Sequence, residues 1–210
     1  MPLHRVVYVL VAAAVILVHP VSGFAQQVGI KAGINFASLT PEENEDPDLS
    51  RRRGFVGGVW VRTTPVGRYS FQAEGLFSEK GVRFDATALG LDGEADVRFR
   101  YFEAPLLAHV DFGSTDASPR FFVVGGIAPA VKLSARARAV FEGEEQTQDV
   151  GEQTETFDVG LVAGVGIAMG RAVIEARHTH GLMRTNTDHN EPNDRVRNRV
   201  FSVTIGVRVR

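Results

Sequence analysis

Phe157-Asp158-Val159-Gly160-Leu161-Val162-Ala163-Gly164-Val165-Gly166-Ile167-Ala168-Met169 has a period of two. Phe157, Val159, Leu161, Ala163, Val165, Ile167 and Met169 share one parity, while Asp158, Gly160, Val162, Gly164, Gly166 and Ala168 share the other. Successive side chains of a strand point to opposite faces, so this segment is a strand with one large apolar face and one face of mostly small residues. No helical period fits it.

The alternation recurs in both directions from there. Val28, Ile30, Ala32, Ile34 and Phe36 oppose Gly29, Lys31, Gly33 and Asn35, and Phe201, Val203, Ile205, Val207 and Val209 oppose Ser202, Thr204, Gly206, Arg208 and Arg210. Further runs fall at about 55–63, 69–80, 96–112, 120–133 and 172–181, giving eight expected strands. In the second, Val56, Val59, Trp60 and Val61 leave both faces partly apolar, which permits a bulge to shift its register. Pro105 and Pro129 each remove a ladder donor and point to bulges in their strands.

Composition agrees with an all-β chain: 22 Gly and 14 Phe among 210 residues, against 3 Met, suit strands and turns better than long helices. With 44% hydrophobic residues, 23% charged residues and a formal charge of −2, the chain is too apolar and too balanced for a disordered polymer or a nucleic-acid-binding domain. Having no Cys, it holds no disulfide, Fe–S cluster or Cys-based zinc site. No cofactor and no nucleic-acid partner are expected.

Residues 1–25 are set apart. His4 and Arg5 precede an apolar run from Val6 to Val18, followed by Pro20 and the triplet Gly23-Phe24-Ala25, the layout of a secretory signal peptide cleaved after Ala25. A membrane-crossing helix needs about 20 apolar residues, and this run is nearer ~13. The mature domain is then 26–210, and if it crosses a membrane it does so with strands.

The connections alternate in length. Stretches 64–68, 113–119 and 170–171 are short, whereas 37–53, 81–95, 134–156 and 182–198 are long and polar, and these four hold 17 of the 25 acidic residues. Short turns at one end and long loops at the other are the layout of an exported, up-and-down, antiparallel transmembrane β-barrel, with its acidic loops outside the cell.

Charge placement supports a lipid-facing wall. Lys31, Arg62, Lys80, Lys132, Arg177 and Arg208 share the polar parity with Glu74, Glu103, Asp111, Asp158 and Glu175. The exceptions on the apolar parity, Glu79, Arg98, Arg100 and Arg199, sit toward the long-loop ends, where a side chain reaches water. Aromatics also cluster by height: Tyr69, Phe112 and Phe121 on the short-turn side, and Phe36, Phe55, Phe77, Phe102, Phe157 and Phe201 on the long-loop side, as two interfacial girdles require. Eight strands enclose no wide channel. Gly160, Gly164, Gly166, Ala128 and Ala130 leave inward room for long side chains. Lys31, Glu74, Glu103, Lys132, Asp158, Glu175 and Arg177 are therefore expected to form a paired structural network that fills the lumen, with Glu103 and Arg177 in the same network.

The chain resembles the PorT-like outer-membrane β-barrel family, often labelled porin family. The likeness lies in Gly29-Ile30-Lys31-Ala32-Gly33-Ile34-Asn35-Phe36, in Tyr101-Phe102-Glu103-Ala104-Pro105-Leu106-Leu107, and in Phe157-Asp158-Val159-Gly160 with Gly164 and Gly166. Glu175-Ala176-Arg177 leading to Gly181-Leu182, and Arg199 to Gly206, complete it. The resemblance implies an eight-stranded outer-membrane barrel, usually without an assigned molecular activity. Two departures are the terminal Val209-Arg210, where such barrels commonly end in an aromatic residue read by the insertion machinery, and His178, where an aromatic is usual.

Few residues suggest chemistry. His178, His180, Asp188 and His189 are the one cluster of metal-ligand or acid–base type, but a metal needs three or four converging ligands and a second shell. Thr179 and Thr185 are the nearest nucleophiles, and no serine is recognisable beside a His and a carboxylate. Three functions stay open: a non-enzymatic structural or surface-interaction barrel of the outer membrane, a soluble periplasmic barrel binding a small apolar ligand, and an outer-membrane lipid-modifying enzyme. Loop segregation and girdles favour the first, with membrane lipids and the barrel-insertion machinery as partners, the loop partner unknown, and a monomeric state.

Overall fold

A computed structural model describes residues 27–40, 49–85, 93–113, 118–141, 144–149, 156–183 and 197–209, so the expected signal segment lies outside the described residues. Ten strands follow in chain order: β1 (Gln27–Thr40), β2 (Leu49–Arg62), β3 (Tyr69–Asp85), β4 (Gly93–Glu103), β5 (Leu106–Phe112), β6 (Arg120–Phe141), β7 (Glu144–Asp149), β8 (Phe157–Met169), β9 (Ala172–Gly181) and β10 (Arg197–Arg208). Every pairing is antiparallel, and β1 pairs β10 from Gly29↔Arg208 to Thr40↔Arg197, which closes the sheet. β4 and β5 both lie between β3 and β6, and β7 pairs only β6, so the ten segments make eight wall strands. A closed wall leaves no edge with unpaired backbone groups, the condition for crossing a bilayer with strands.

The fourth wall strand, expected as one run, breaks at Ala104-Pro105 because proline has no N–H to give the ladder. The neighbours bridge the break: Ala104 N–H donates to the Pro129 carbonyl at 2.8 Å and Glu74 N–H to the Pro105 carbonyl at 3.0 Å. Pro129 itself sits in an unbroken register with Val159, and the bulge of β6 comes at Leu133, skipped between Arg100↔Ser134 and Tyr101↔Lys132. The expected irregularity of the second strand appears between Arg51 and Val56 in its pairing with β3. Beyond it Val56, Trp60 and Arg62 are buried, while Phe55 and Val59 are exposed.

All four long connections contain more strand than the alternation indicates. The β3–β4 ladder runs on to Asp85↔Glu94 and β6 reaches Phe141 with β7 against it, inside 81–95 and 134–156, while β1 runs to Thr40 and β2 starts at Leu49 inside 37–53 and β10 starts at Arg197 inside 182–198. Backbone pairing satisfies the N–H and C=O groups there whatever the side chains, so the ladder continues where charged residues such as Arg83, Arg136 and Arg138 interrupt the apolar parity. At the opposite end Gly170-Arg171 joins β8 to β9, with Gly170 at φ +59°, the left-handed conformation a two-residue hairpin turn needs.

The wall is inverted relative to a water-soluble protein. Ile30, Val59, Phe71, Leu161, Val165 and Ile205 are exposed, whereas Lys31, Glu74, Glu103, Lys132, Glu175 and Arg177 are each no more than 7% exposed. The soluble-barrel alternative required the reverse, apolar inside and charge outside, and is overturned by this arrangement. Phe36 stacks near Phe201 with ring centroids 6.3 Å apart, and Phe55 near Phe77 at 6.4 Å, in the long-loop girdle.

Candidate functional site

The polar lumen is the place where this fold gathers chemistry. Glu74 on β3 is its centre: one oxygen accepts from Lys31 of β1 at 2.9 Å, from Gln72 at 2.5 Å and from Arg177 Nη2 at 2.6 Å, and the other accepts from Arg177 Nη1 at 2.7 Å. Glu175, two residues before Arg177 on the same inward face of β9, also pairs with Arg177 and lies 3.4 Å from Lys31. Two cations and two carboxylates from three strands are thus paired inside the wall. A bidentate guanidinium–carboxylate contact of this kind combines two charge-assisted hydrogen bonds with a fixed geometry.

Two clusters flank this centre. Toward the long loops, Lys80 Nζ lies 2.6 Å from Glu103 and 5.0 Å from the centre of the Tyr101 ring, while Asn35 donates to Ser78 at 2.9 Å and accepts from Ser202 at 2.7 Å. Toward the short turns, Arg62 pairs with Asp111, donates from Nε to Ser70 at 2.7 Å, and lies 3.4 Å from His109 Nε2. Arg120 approaches Asp111 at 3.3 Å. Trp60 fits beside this cluster only because position 29 is glycine: a Cβ there would lie 2.3 Å from the indole ring.

Of the residues singled out from sequence, Lys31, Glu74, Glu175 and Arg177 are in direct contact. Glu103 is buried, and its ion pair is with Lys80. Lys132 is buried on the inward face of β6, and Asp158 is half-buried on β8. His178 and His180 lie on the outward parity of β9, opposite Phe201 and Arg199, while Thr185, Asp188 and His189 fall outside the described residues. Among the described residues no group of three potential metal ligands converges.

The short-turn cluster contains what the sequence reading missed. Ser70 and His109 stand directly opposite each other on β3 and β5, and Asp111 lies on the same inward face, its Oδ1 3.7 Å from His109 Nδ1. The signal was present in the strand parity, since His109 and Asp111 are two apart. These three residue types could serve a nucleophile, but Arg62 occupies the position between them, contacting both Ser70 and His109 Nε2, and all three are buried. The adjoining free space is small: a cavity of about 30 Å³ lined by Arg62, His109 and Trp60, and one of about 20 Å³ lined by Asn35, Glu103 and Arg177. Spaces of this size hold one or a few waters.

A family model described as outer membrane protein beta-barrel domain matches residues 24–186. No curated protein is similar enough to match. Solved structures that resemble the chain include Ail, the attachment invasion locus protein of Yersinia pestis, at 14% identity and TM-score 0.43, covering 87% of this chain and 97% of that one. Neisserial surface protein A is similar at 14% identity and TM-score 0.46, covering 86% and 96%. The outer membrane enzyme PagL is similar at 12% identity and TM-score 0.44, covering 83% and 98%.

Proposed function

This chain belongs to the outer membrane protein beta-barrel domain family and resides in the outer membrane, and we propose from that premise that it is a non-enzymatic, non-conducting barrel. Its lumen is closed by its own ion pairs, and its role is structural or one of surface interaction through the long acidic connections. Within the family we place it with the PorT-like group, on the motifs around Gly29–Phe36 and Tyr101–Leu107. Residues 1–25 act as the cleaved signal segment, the mature barrel is a monomer, and its partners are the membrane lipids and the machinery that inserts it.

The observation that carries this reading is Glu74, which binds Lys31, Gln72 and Arg177 at once across the middle of the lumen. A carboxylate whose acceptor sites are taken by buried donors of its own chain leaves neither a path for ions nor a free base. The burial of Ser70 and its bond to Arg62 weigh in the same direction against a lipid-modifying enzyme.

Planar-bilayer recordings on protein purified from outer membranes test the reading, together with incubation with acylated outer-membrane lipid. The expected result is no stable conductance and no release of fatty acid. Reproducible channels of porin size, or fatty-acid release abolished by Ser70→Ala, would replace the proposal with a pore or an enzyme.

A further inference from the structure

Just beyond the long-loop girdle the outer face of the wall turns basic. Exposed Arg53 stands one outward position past Phe55 on β2, Arg100 and exposed Arg98 stand one and two positions past Phe102 on β4, and exposed Arg199 stands one past Phe201 on β10. Exposed Arg136 and Arg138 follow on β6, beyond the exposed Leu133. The recurring arrangement is an outward aromatic with an arginine about 7 Å further along the strand, the spacing of consecutive residues on one face. Against these six arginines the same band of described side chains holds two carboxylates, Glu79 and Asp96, an excess of four positive charges. On β7 the Cα of Asp149 stands opposite Arg136.

The excess is concentrated where β4 meets β6. Arg98 is paired in register with Arg136, so two guanidinium-bearing residues face each other directly across the ladder, a placement that weakens a sheet. Beside them Arg138 stands opposite Asp96, and Arg100, held by Glu79 at 3.1 Å, stands opposite Ser134. A recess of about 150 Å³ opens between Asp96, Arg98, Arg100, Ser134, Arg136, Arg138 and Thr147, four guanidinium groups against one carboxylate. Next along β4 and β6 come Phe102 and the exposed Leu133, and Phe157 of β8 stands, like Phe102, opposite Val131 of β6. Planar guanidinium forks suit phosphate oxygens bidentately, and two opposed forks suit an anion that bridges them.

We propose that this part of the wall binds a phosphorylated glycolipid headgroup of the outer leaflet. A phosphate bridges Arg98 and Arg136, with Arg138 and Ser134 at its margin, while the acyl chains of the same molecule lie against Leu133, Phe102 and Phe157. The like-charged pair is then the recognition element: an anion at membrane height turns its repulsion into two attractions. The inference rests on the outer-membrane location and is independent of whether the lumen conducts.

The test uses the purified barrel in neutral detergent micelles, with bisphosphorylated lipid A and its dephosphorylated counterpart as probes and bound lipid counted by native mass spectrometry. Wild type should bind the phosphorylated form at least tenfold more tightly. The R98Q/R136Q variant should lose that preference, whereas R98K/R136K should keep most of it, and R68Q/R171Q, at the exposed short turns, should keep all of it. Heat-dependent electrophoretic mobility verifies that each variant is folded, and the single substitutions R98Q and R136Q serve should the double variant fail. Inorganic phosphate at millimolar concentration should not displace the lipid. Equal binding of the two lipids, an unchanged preference in folded R98Q/R136Q, or displacement by inorganic phosphate alone would overturn the proposal.

Discussion

Arg177 and Arg98 lie on the same wall and obey opposite rules. Arg177 points into the lumen, is 7% exposed, and gives its donors to Glu74 and Glu175 of its own chain. Arg98 points outward beyond the girdle, is exposed, and stands across from another arginine. The difference shows how depth and face decide what a charge is for. In the lumen, where water is scarce, a guanidinium must find its carboxylate within the protein or cost several kcal/mol. At the headgroup band water and lipid anions are both present, so the chain can leave positive charge unmatched and let the membrane supply the counterion.

The comparison breaks most readily at Glu74. Glu74→Ala leaves Lys31 and Arg177 to share Glu175 alone, one buried cation in excess, and we expect a loss of about 3–5 kcal/mol in reversible urea unfolding from detergent micelles. Arg177→Ala should fall in the same range, because Glu74 keeps Lys31 and Gln72 but Glu175 loses its close partner. Lys132→Ala serves as the comparison for a buried cation outside the central contacts. If Arg177→Ala and Lys132→Ala both leave stability unchanged while removing the binding of some ligand, the lumen is a functional site and its structural role is refuted.

Glu103→Gln should lower stability less, by about 1–2 kcal/mol, since the amide oxygen still accepts a hydrogen bond from Lys80. The smallest effect belongs to the outer face. R98Q/R136Q should shift unfolding by no more than about 0.5 kcal/mol in detergent without anionic lipid, as expected for surface positions. A large loss there would mean that the outer arginines hold the wall together much as the inner ones do.

How much of this was legible in the sequence differs between the two faces. The period of two assigned Lys31, Glu74, Glu175 and Arg177 to one face because the other face was so uniformly apolar, and these four side chains are buried. Which of them touch was not legible, because contacts across a lumen depend on barrel stagger and side-chain reach, and parity encodes neither. Glu103 found Lys80 on the neighbouring strand, with Tyr101 beneath the ammonium, while the central contacts are with Glu74 and Glu175. His109 and Ser70 were readable by the same parity count, yet register was needed to show them opposite each other. The strand extensions into the long connections, with β7, went unread because backbone pairing continues there while charged residues such as Arg83, Arg136 and Arg138 interrupt the apolar parity. The break at Pro105 was readable because proline acts through its own backbone.

The central claim, that the lumen is closed by mutual pairing, is tested most directly by a double-mutant cycle between Glu74 and Arg177. Glu74→Ala, Arg177→Ala and the double variant are compared with wild type in the same unfolding assay. The account predicts strong coupling, with the double variant less destabilised than the sum of the single ones by at least about 1 kcal/mol, since removing both groups strands fewer charges than removing either alone. Additivity to within about 0.5 kcal/mol would contradict it and show that the two side chains share a space without holding each other.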